Sequence, residues 1–335
     1  MIETRIQLPD APAISDLRFR MFDPAGDYEA YADLIGEANL ADGVDEVPMA
    51  DDLRVEFTHA AEFDPRRDIL LAEIDGVLIA SAKTEVRTRD GIGVHHVEGW
   101  VRPAWRRRGL GRALLHWTER RSAEVARVDG RPSKRALSAW PDEDQVGATT
   151  LYESEGYEIV RYGFLMIRDL ADPIPDLPLP AGLEIRPVLE TDHRRIWDAD
   201  TEAFRDHWDS GERTEADFAS WFAAPDLDTS LWRVAWEGDE VAGSVMTFVR
   251  PAENEALGLS RGWLDHISVR RPWRRRGLAS ALITDALRAL REAGLAEAAL
   301  GVDAENVSGA LRVYEAIGFR RAKTGVSYRK MFTAE

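Results

Sequence analysis

Two short stretches hold the residues best suited to chemistry. One runs Val269-Arg270-Arg271-Pro272-Trp273-Arg274-Arg275-Arg276-Gly277-Leu278-Ala279-Ser280 and the other Val101-Arg102-Pro103-Ala104-Trp105-Arg106-Arg107-Arg108-Gly109-Leu110-Gly111-Arg112. In each, a valine closes an apolar run, Trp and three Arg follow, and Gly-Leu-small opens a helical pattern. A strand that feeds through such a turn into a helix leaves the first N–H groups of the helix unpaired and aimed at one point, which suits an anion. Gly277 and Gly109 permit positive φ and a close backbone approach. The guanidinium groups add charge and paired donors matched to phosphate oxygens, so a diphosphate fits the turn. A single basic triplet is usually a solvated surface run; its recurrence in the same setting favours phosphate binding.

The elements that must position these turns also recur. Leu17 to Met21 alternates apolar and basic residues as a half-buried strand does, and a helix follows Asp23-Pro24 through about Ala38. Leu183 to Pro187 and a helix after Thr191-Asp192 repeat that order. Hairpins come next: Ile69 to Ile74, the turn Asp75-Gly76, then Val77 to Glu85; and Trp232 to Trp236, the turn Glu237-Gly238-Asp239, then Val241 to Val249. Strands His95 to Val101 and Trp263 to Val269 lead into the arginine turns. Helices over about Leu110 to Arg127 and Leu278 to Ala293 follow, the second with Leu278, Ala281, Leu282, Leu287 and Leu290 at helical spacing and Gly294 as its stop. Then come strands Ala136 to Trp140 and Glu297 to Val302, and short helices ending in Tyr152 to Tyr157 and Tyr314 to Phe319. The first half has extra residues, most simply at 128–133.

Asp169 to Pro180 contains four prolines and no periodic pattern, which reads as an extended, stiff linker. The expected organisation is one domain over 1–168, a linker over 169–182 and a second domain over 183–335. A length of 335 residues is comfortable for two such cores. The 44% hydrophobic and 31% charged fractions are those of a soluble globular protein. Formal net charge is −17, a field that disfavours nucleic acid and anionic membrane and draws in amines. Without cysteine there are no disulfides, zinc thiolates or thiol nucleophiles. The seven histidines show no metal-ligand spacing, so no metal is expected. The start lacks a basic stretch followed by an apolar run, and no long apolar run occurs, so a cytoplasmic location is expected.

Together with Asn306-Val307-Ser308-Gly309-Ala310-Leu311-Arg312-Val313-Tyr314-Glu315-Ala316-Ile317-Gly318-Phe319, the arginine turn resembles the GNAT superfamily of acyl-CoA-dependent N-acetyltransferases, in its tandem two-domain form. The resemblance spans both halves. It implies an α/β (mixed α+β) fold of two GNAT-like domains, each a mostly antiparallel mixed sheet flanked by helices. It also implies acetyl transfer from acetyl-CoA to a primary amine of a small molecule. Arg274, Arg275, Arg276, Gly277, Leu278, Ala279 and Ser280 would hold the diphosphate of acetyl-CoA. The backbone of Ile267, Ser268 and Val269 would pair with the pantetheine arm, Asn306 would hydrogen-bond the arm, and Tyr314 would protonate the leaving thiolate. Val101, Arg106, Arg107, Arg108, Gly109, Leu110, Gly111, Arg112 and Tyr152 match these roles in the first half.

Family members often carry a glutamate base upstream on the strand before the turn; that position is Trp263 here and His95 in the first half. Asp265, the next residue on Trp263's face by strict alternation, is then the candidate base, and His266 is expected on the opposite face in a structural role. Glu202, His207 and Asp209 near the acceptor side are equally consistent with ordinary exposed residues. Trp105 and Trp273 are expected to pack beneath the turns. Alignment on tyrosine puts Asp144 where Asn306 stands, which removes an amide donor. The second half is therefore expected to be catalytic and the first to bind acetyl-CoA or act as scaffold. The alternative is a non-catalytic acyl-CoA-binding or scaffolding protein.

Overall fold

The computed structural model describes residues 6–59, 63–89, 91–130, 134–208, 211, 213–223, 227–306 and 309–333. Two compact units emerge, one from Met1–Val160, Thr214–Ala224 and Val326–Glu335, the other from Arg161–Arg213 and Pro225–Gly325. In chain order the elements are β1 (Arg18–Met21), α1 (Tyr28–Ala41), α2 (Ala50–His59), α3 (Pro65–Asp68), β2 (Ile69–Ile74), β3 (Val77–Arg89), β4 (Ile92–Val101), α4 (Leu110–Ala126), β5 (Arg135–Ala139), α5 (Val146–Ser154) and β6 (Glu158–Asp169). There follow β7 (Glu184–Arg186), α6 (His193–Phe204), α7 (Glu215–Phe222), β8 (Arg233–Glu237), β9 (Glu240–Val249), α8 (Pro251–Leu257), β10 (Arg261–Val269), α9 (Leu278–Glu292), β11 (Glu297–Asp303), α10 (Ala310–Ile317) and β12 (Arg320–Phe332).

The sheet of the first unit runs β1-β2-β3-β4-β5 and is closed by residues 328–332 of β12, antiparallel to β5. Among the described residues of this unit only β4–β5 is parallel. In β2, Ile69, Leu70, Leu71 and Ala72 are all inaccessible to solvent. Ile69 and Leu71 pack with Tyr31 and Leu34 of α1, whereas Leu70 and Ala72 pack with Leu110 and Leu114 of α4. Alternation therefore serves a sheet covered on both faces.

The sheet of the second unit runs β7-β8-β9-β10-β11 and is closed by residues 163–169 of β6, antiparallel to β11. Among the described residues of this unit only β10–β11 is parallel. Each half is thus a mostly antiparallel mixed sheet flanked by helices. Helix α9 buries Leu278, Ala281, Leu282, Ile283, Ala286, Leu287 and Leu290 against Val245, Leu264 and Leu300. Each of those leucines contributes about 2 kcal/mol by leaving water. Gly294, at φ 85°, ends the helix, and the Leu295 N–H returns to the Leu290 carbonyl at 3.1 Å. The proline-rich stretch belongs to this unit: Ile174 and Leu179 pack on its core, and Arg168 and Arg288 donate to the carbonyls of Pro173 and Pro175. A strand exchange absent from the sequence reading puts the end of β12 in the first unit and most of β6 in the second, and the segment carrying α7 also belongs to the first.

Candidate functional site

The two arginine turns share one backbone. Arg275 (φ 59°) and Gly277 (φ 85°) are left-handed in the second unit, as are Arg107 (φ 59°) and Gly109 (φ 89°) in the first. The left-handed glycines were anticipated; the left-handed arginines were not, and each stores about 1–3 kcal/mol of strain. Gly277 and Gly109 are N-caps without a side chain, so α9 and α4 begin with their first N–H groups aimed outward. Alternating left-handed residues turn those amides toward one concavity, an anion nest.

The first arginine of each triplet braces the turn. Arg274 donates from Nε to the Val269 carbonyl (2.9 Å), from Nη2 to the Ala203 carbonyl (3.1 Å) and from Nη1 to Asp206 (2.6 Å). Arg106 does the same to Val101 (3.0 Å), Ala38 (3.1 Å) and Asp42. Each guanidinium thus ties a strand end to the last carbonyls of the first helix of its unit. Asp206, bonded to Arg271 and Arg274, is held well below the usual carboxylate range. Of the other cations, Arg276 reaches the Ala181 carbonyl at 3.4 Å, Arg108 lies over Trp105 at 4.8 Å, and Arg112 bonds Glu155 at 2.6 Å. Trp273 is buried under the turn and donates to Glu237 at 3.0 Å.

The strand before the second turn is where the units differ. β10 pairs with β11 only from Arg261 to Trp263, while its other edge stays on β9 to Val269. From Leu264 onward the β11-facing edge is outside the ladder, and a strand-like ligand could add there at Ile267, Ser268 and Val269. Leu264 pairs with Thr247 and His266 with Met246, which makes Asp265 the extra residue of a β-bulge, exposed to solvent. The bulge corrects the expected facing. Leu264 and Ile267 pack with α9, so Trp263 and His266 both lie on the other face, and His266 reaches α6. Its Nδ1 is 2.8 Å from Asp200 Oδ2, and its ring is 5.0 Å from Phe204.

Asp200 is 1% exposed, and Arg213 Nη1 donates to the same Oδ2 at 2.7 Å. Burial pushes its carboxyl up, but the hydrogen bond from His266, that ring's charge when it is protonated, and Arg213 outweigh this and hold it below its ordinary value. Sequence reasoning passed over this carboxylate. Its signal was the buried stripe Ile196, Trp197, Ala199, Asp200, Ala203, an inward face with one acid.

Tyr314 lies on α10, 7% exposed, edge-on to Phe319 at 6.2 Å, and burial pushes its phenol up to about 12. Asn306 sits in the turn between β11 and α10, its backbone linked to Asp303 (3.1 Å) and Gly309 (3.2 Å); Arg161 fixes Asp303 with two 2.8 Å bonds. Glu202 receives Arg270 at 2.9 Å, and His207 stacks on Phe204 at 4.3 Å, with burial pushing its imidazole down. Asp209 and residues 131–133 of the expected insertion lie outside the described residues.

In the first unit, β4 pairs with β3 from Ala80↔Val101 to Arg89↔Ile92 without a shift. A cavity of about 570 Å3 lies beside the segment past His96, where the β4–β5 ladder stops; its walls include Lys83, Glu98, Val101, Arg107, Gly111 and Tyr152. Lys83 Nζ lies 3.2 Å from Glu98 and 3.4 Å from Glu56; burial opposes its charge, but the glutamates prevail and raise its pKa. His95 is buried against Phe332 (5.2 Å) and pushed down to about 4, first by burial and then by Arg135. Burial, with Glu98 adding to it, raises the Tyr152 phenol. Asp144 is exposed; next to it, Gln145 lines the cavity and donates to Asp42 at 3.3 Å.

Residues 193–319 match the model of the GNAT acetyltransferase family, and residues 65–159 match that of a GNAT acetyltransferase domain. A GCN5-related N-acetyltransferase from Sphaerobacter thermophilus superposes with a TM-score of 0.70 at 27% identity, covering 96% of this chain and 97% of that one. A tandem GNAT protein from the clavulanic acid pathway shares the fold, with a TM-score of 0.64 at 18% identity over 95% and 99%. The chain belongs to the GNAT acetyltransferase family as a tandem, two-domain N-acetyltransferase; enzymes of this family use acetyl-CoA as donor. Within the family it is similar to mycothiol acetyltransferases. It is 32% identical to that of Geodermatophilus obscurus over 96% of this chain and 98% of the relative, and 31% identical to that of Salinispora tropica over 97% and 96%. Among the described residues no helix is long and apolar enough to cross a membrane.

Proposed function

We propose that the second unit transfers acetyl from acetyl-CoA to a primary amine of a small molecule by direct attack on the thioester. The observation that carries this is β10 itself, a strand whose edge opens beyond Trp263 and ends in a nest of helix amides. In this reading the diphosphate sits on the amides of residues 275–280, with the side chains of Arg275 and Arg276 alongside and Arg274 as brace. Pantetheine adds to the edge of Ile267, Ser268 and Val269, and Asn306 bonds the arm near the thioester. The neutral amine attacks the carbonyl carbon, the C–S bond breaks, and the Tyr314 phenol gives its proton to the thiolate. A phenol raised to about 12 is fully protonated at neutral pH, as a donor must be. The amine loses one proton to a base, for which Asp265 was the sequence candidate.

The similarity to mycothiol acetyltransferases supports a cysteinyl amino-sugar conjugate as acceptor. The first unit, through Val101, Arg107 to Arg112 and Tyr152, binds acetyl-CoA in its cavity without turnover. The test is incubation with acetyl-CoA and cysteinyl-glucosamine. Because this acceptor carries a thiol, CoA formation is followed by chromatography. Tyr314→Phe lowers kcat about 100-fold and leaves CoA affinity unchanged. Tight CoA binding with no acetylation of a broad amine panel supports the scaffold reading instead.

A further inference from the structure

We propose that His266 is the base that takes the proton of the acceptor amine in the second unit, and that Asp200 positions it. The proposal rests on the acetyltransferase reading and names a residue for the step that reading leaves open. A carboxylate only accepts hydrogen bonds, so the 2.8 Å contact between Asp200 Oδ2 and Nδ1 requires the proton on Nδ1. The lone pair of the neutral ring is then on Nε2. Arg213 Nη2 stands 3.3 Å from Nδ1, but a protonated Nδ1 cannot accept from it. Its part is to donate to Asp200 at 2.7 Å and keep that buried acid ionised.

The place fits the task. His266 precedes the Ile267–Val269 edge and follows the bulge that turns it to the face of Trp263. Asp265 is exposed in the bulge, a solvated carboxylate without the fixed orientation that Asp200 gives the imidazole. Among the described residues, ionisable groups near the ring include Asp200 of α6, Arg213, His207 across Phe204, and Asp265 on its own strand. As the C–N bond forms, the amine proton passes to Nε2. The C–S bond breaks, sulfur takes the Tyr314 proton, and both side chains return to their starting forms by exchange with water.

The experiment measures kcat and KM for acetyl-CoA and cysteinyl-glucosamine between pH 6 and 10, with thermal melting and CoA calorimetry as controls. His266→Gln is expected to lower kcat about 100-fold at pH 7. CoA affinity stays put, and the deficit persists above the acceptor's own pKa, because the proton passed to Nε2 is lost by an amine that is already neutral when it attacks. Asp200→Asn lowers kcat without moving KM, and the double variant is no slower than His266→Gln alone, because the two act as one unit. Imidazole added to His266→Ala restores part of the rate. His266→Gln with a wild-type pH profile and near wild-type kcat overturns the proposal, as does Asp265→Asn reproducing the loss. A wild-type enzyme that acetylates neither this conjugate nor any amine of a panel overturns the acetyltransferase reading itself, a result distinct from any variant defect.

Discussion

Replacing Gly243 by alanine tests how the cofactor edge of β10 is held. Gly243 faces Val269 in the β9–β10 ladder, and a Cβ there would stand 2.6 Å from the Ser268 carbonyl oxygen and 3.2 Å from Val269 Cα. Ordinary contact begins at 3.4 Å, so the two strands must part by several tenths of an ångström, and both obstacles are backbone. Overpacking of this kind costs about 1–2 kcal/mol. One weakened ladder bond adds about 1 kcal/mol. The resulting 2–3 kcal/mol lowers the melting midpoint of the second unit by roughly 5–10 °C. The displaced residues are the proposed pantetheine partners, and misplacement on this scale weakens CoA binding in that unit about tenfold. The assay is calorimetric: melting for stability and CoA titration for affinity. Gly301→Ala, where an added Cβ meets nothing within 4 Å, is the stability control. The first unit has Ala80 opposite Val101 at the matching ladder position, so a Cβ is compatible with the unbulged strand. A Gly243→Ala protein that keeps its midpoint and CoA affinity would falsify the claim that this close approach sets the edge.

Two further outcomes follow from side-chain contacts. Arg274→Lys keeps the charge but cannot reach the Val269 and Ala203 carbonyls together, so it costs about 1–2 kcal/mol in melting experiments and weakens CoA binding by loosening the turn. His116 is raised above 6.5, chiefly by its hydrogen bond to Glu155, with burial partly opposing and Asp10 adding. Its contribution is full below the unfolded value and is lost as pH rises through the higher folded value. The midpoint of the first unit should therefore fall gently as pH rises above about 6.5 and lose that slope in His116→Ala, gently because the ring is only partly buried and its ion pair with the exposed Asp10 is screened. A flat wild-type profile would contradict this.

What could be read in the sequence was whatever repeats locally. The Asp75-Gly76 hairpin, the α9 stripe and the left-handed glycines at 109 and 277 all follow from single residues or a fixed period. The strands 163–169 and 328–332 were not legible, because their partners are chosen by long-range pairing that no local pattern encodes. The same limit hid the role of Arg274 and Arg106. An arginine in a cationic triplet reads as a phosphate ligand until the last turn of a distant helix brings carbonyls to it. Asp200 looked like one acid among many; only its inward place on α6 sets it apart.

The bulge also explains how two copies of one pattern come to differ in use. Counted back from the turns, the strands agree as far as His266 and its counterpart Glu98, each on the face of the first helices of its unit. Beyond that point the extra residue reverses the facing in β10 but not in β4. Trp263 therefore shares the His266 face, whereas His95 points into the core against Phe332 and is held neutral there. Glu98, the remaining group on the corresponding face, lies 3.2 Å from the buried ammonium of Lys83. That contact ties the Glu98 side chain to Lys83. Among its described residues the first unit thus has the amide nest and a cavity but no counterpart of the Asp200–His266 pair, which is why we place turnover in the unit whose strand carries the additional residue.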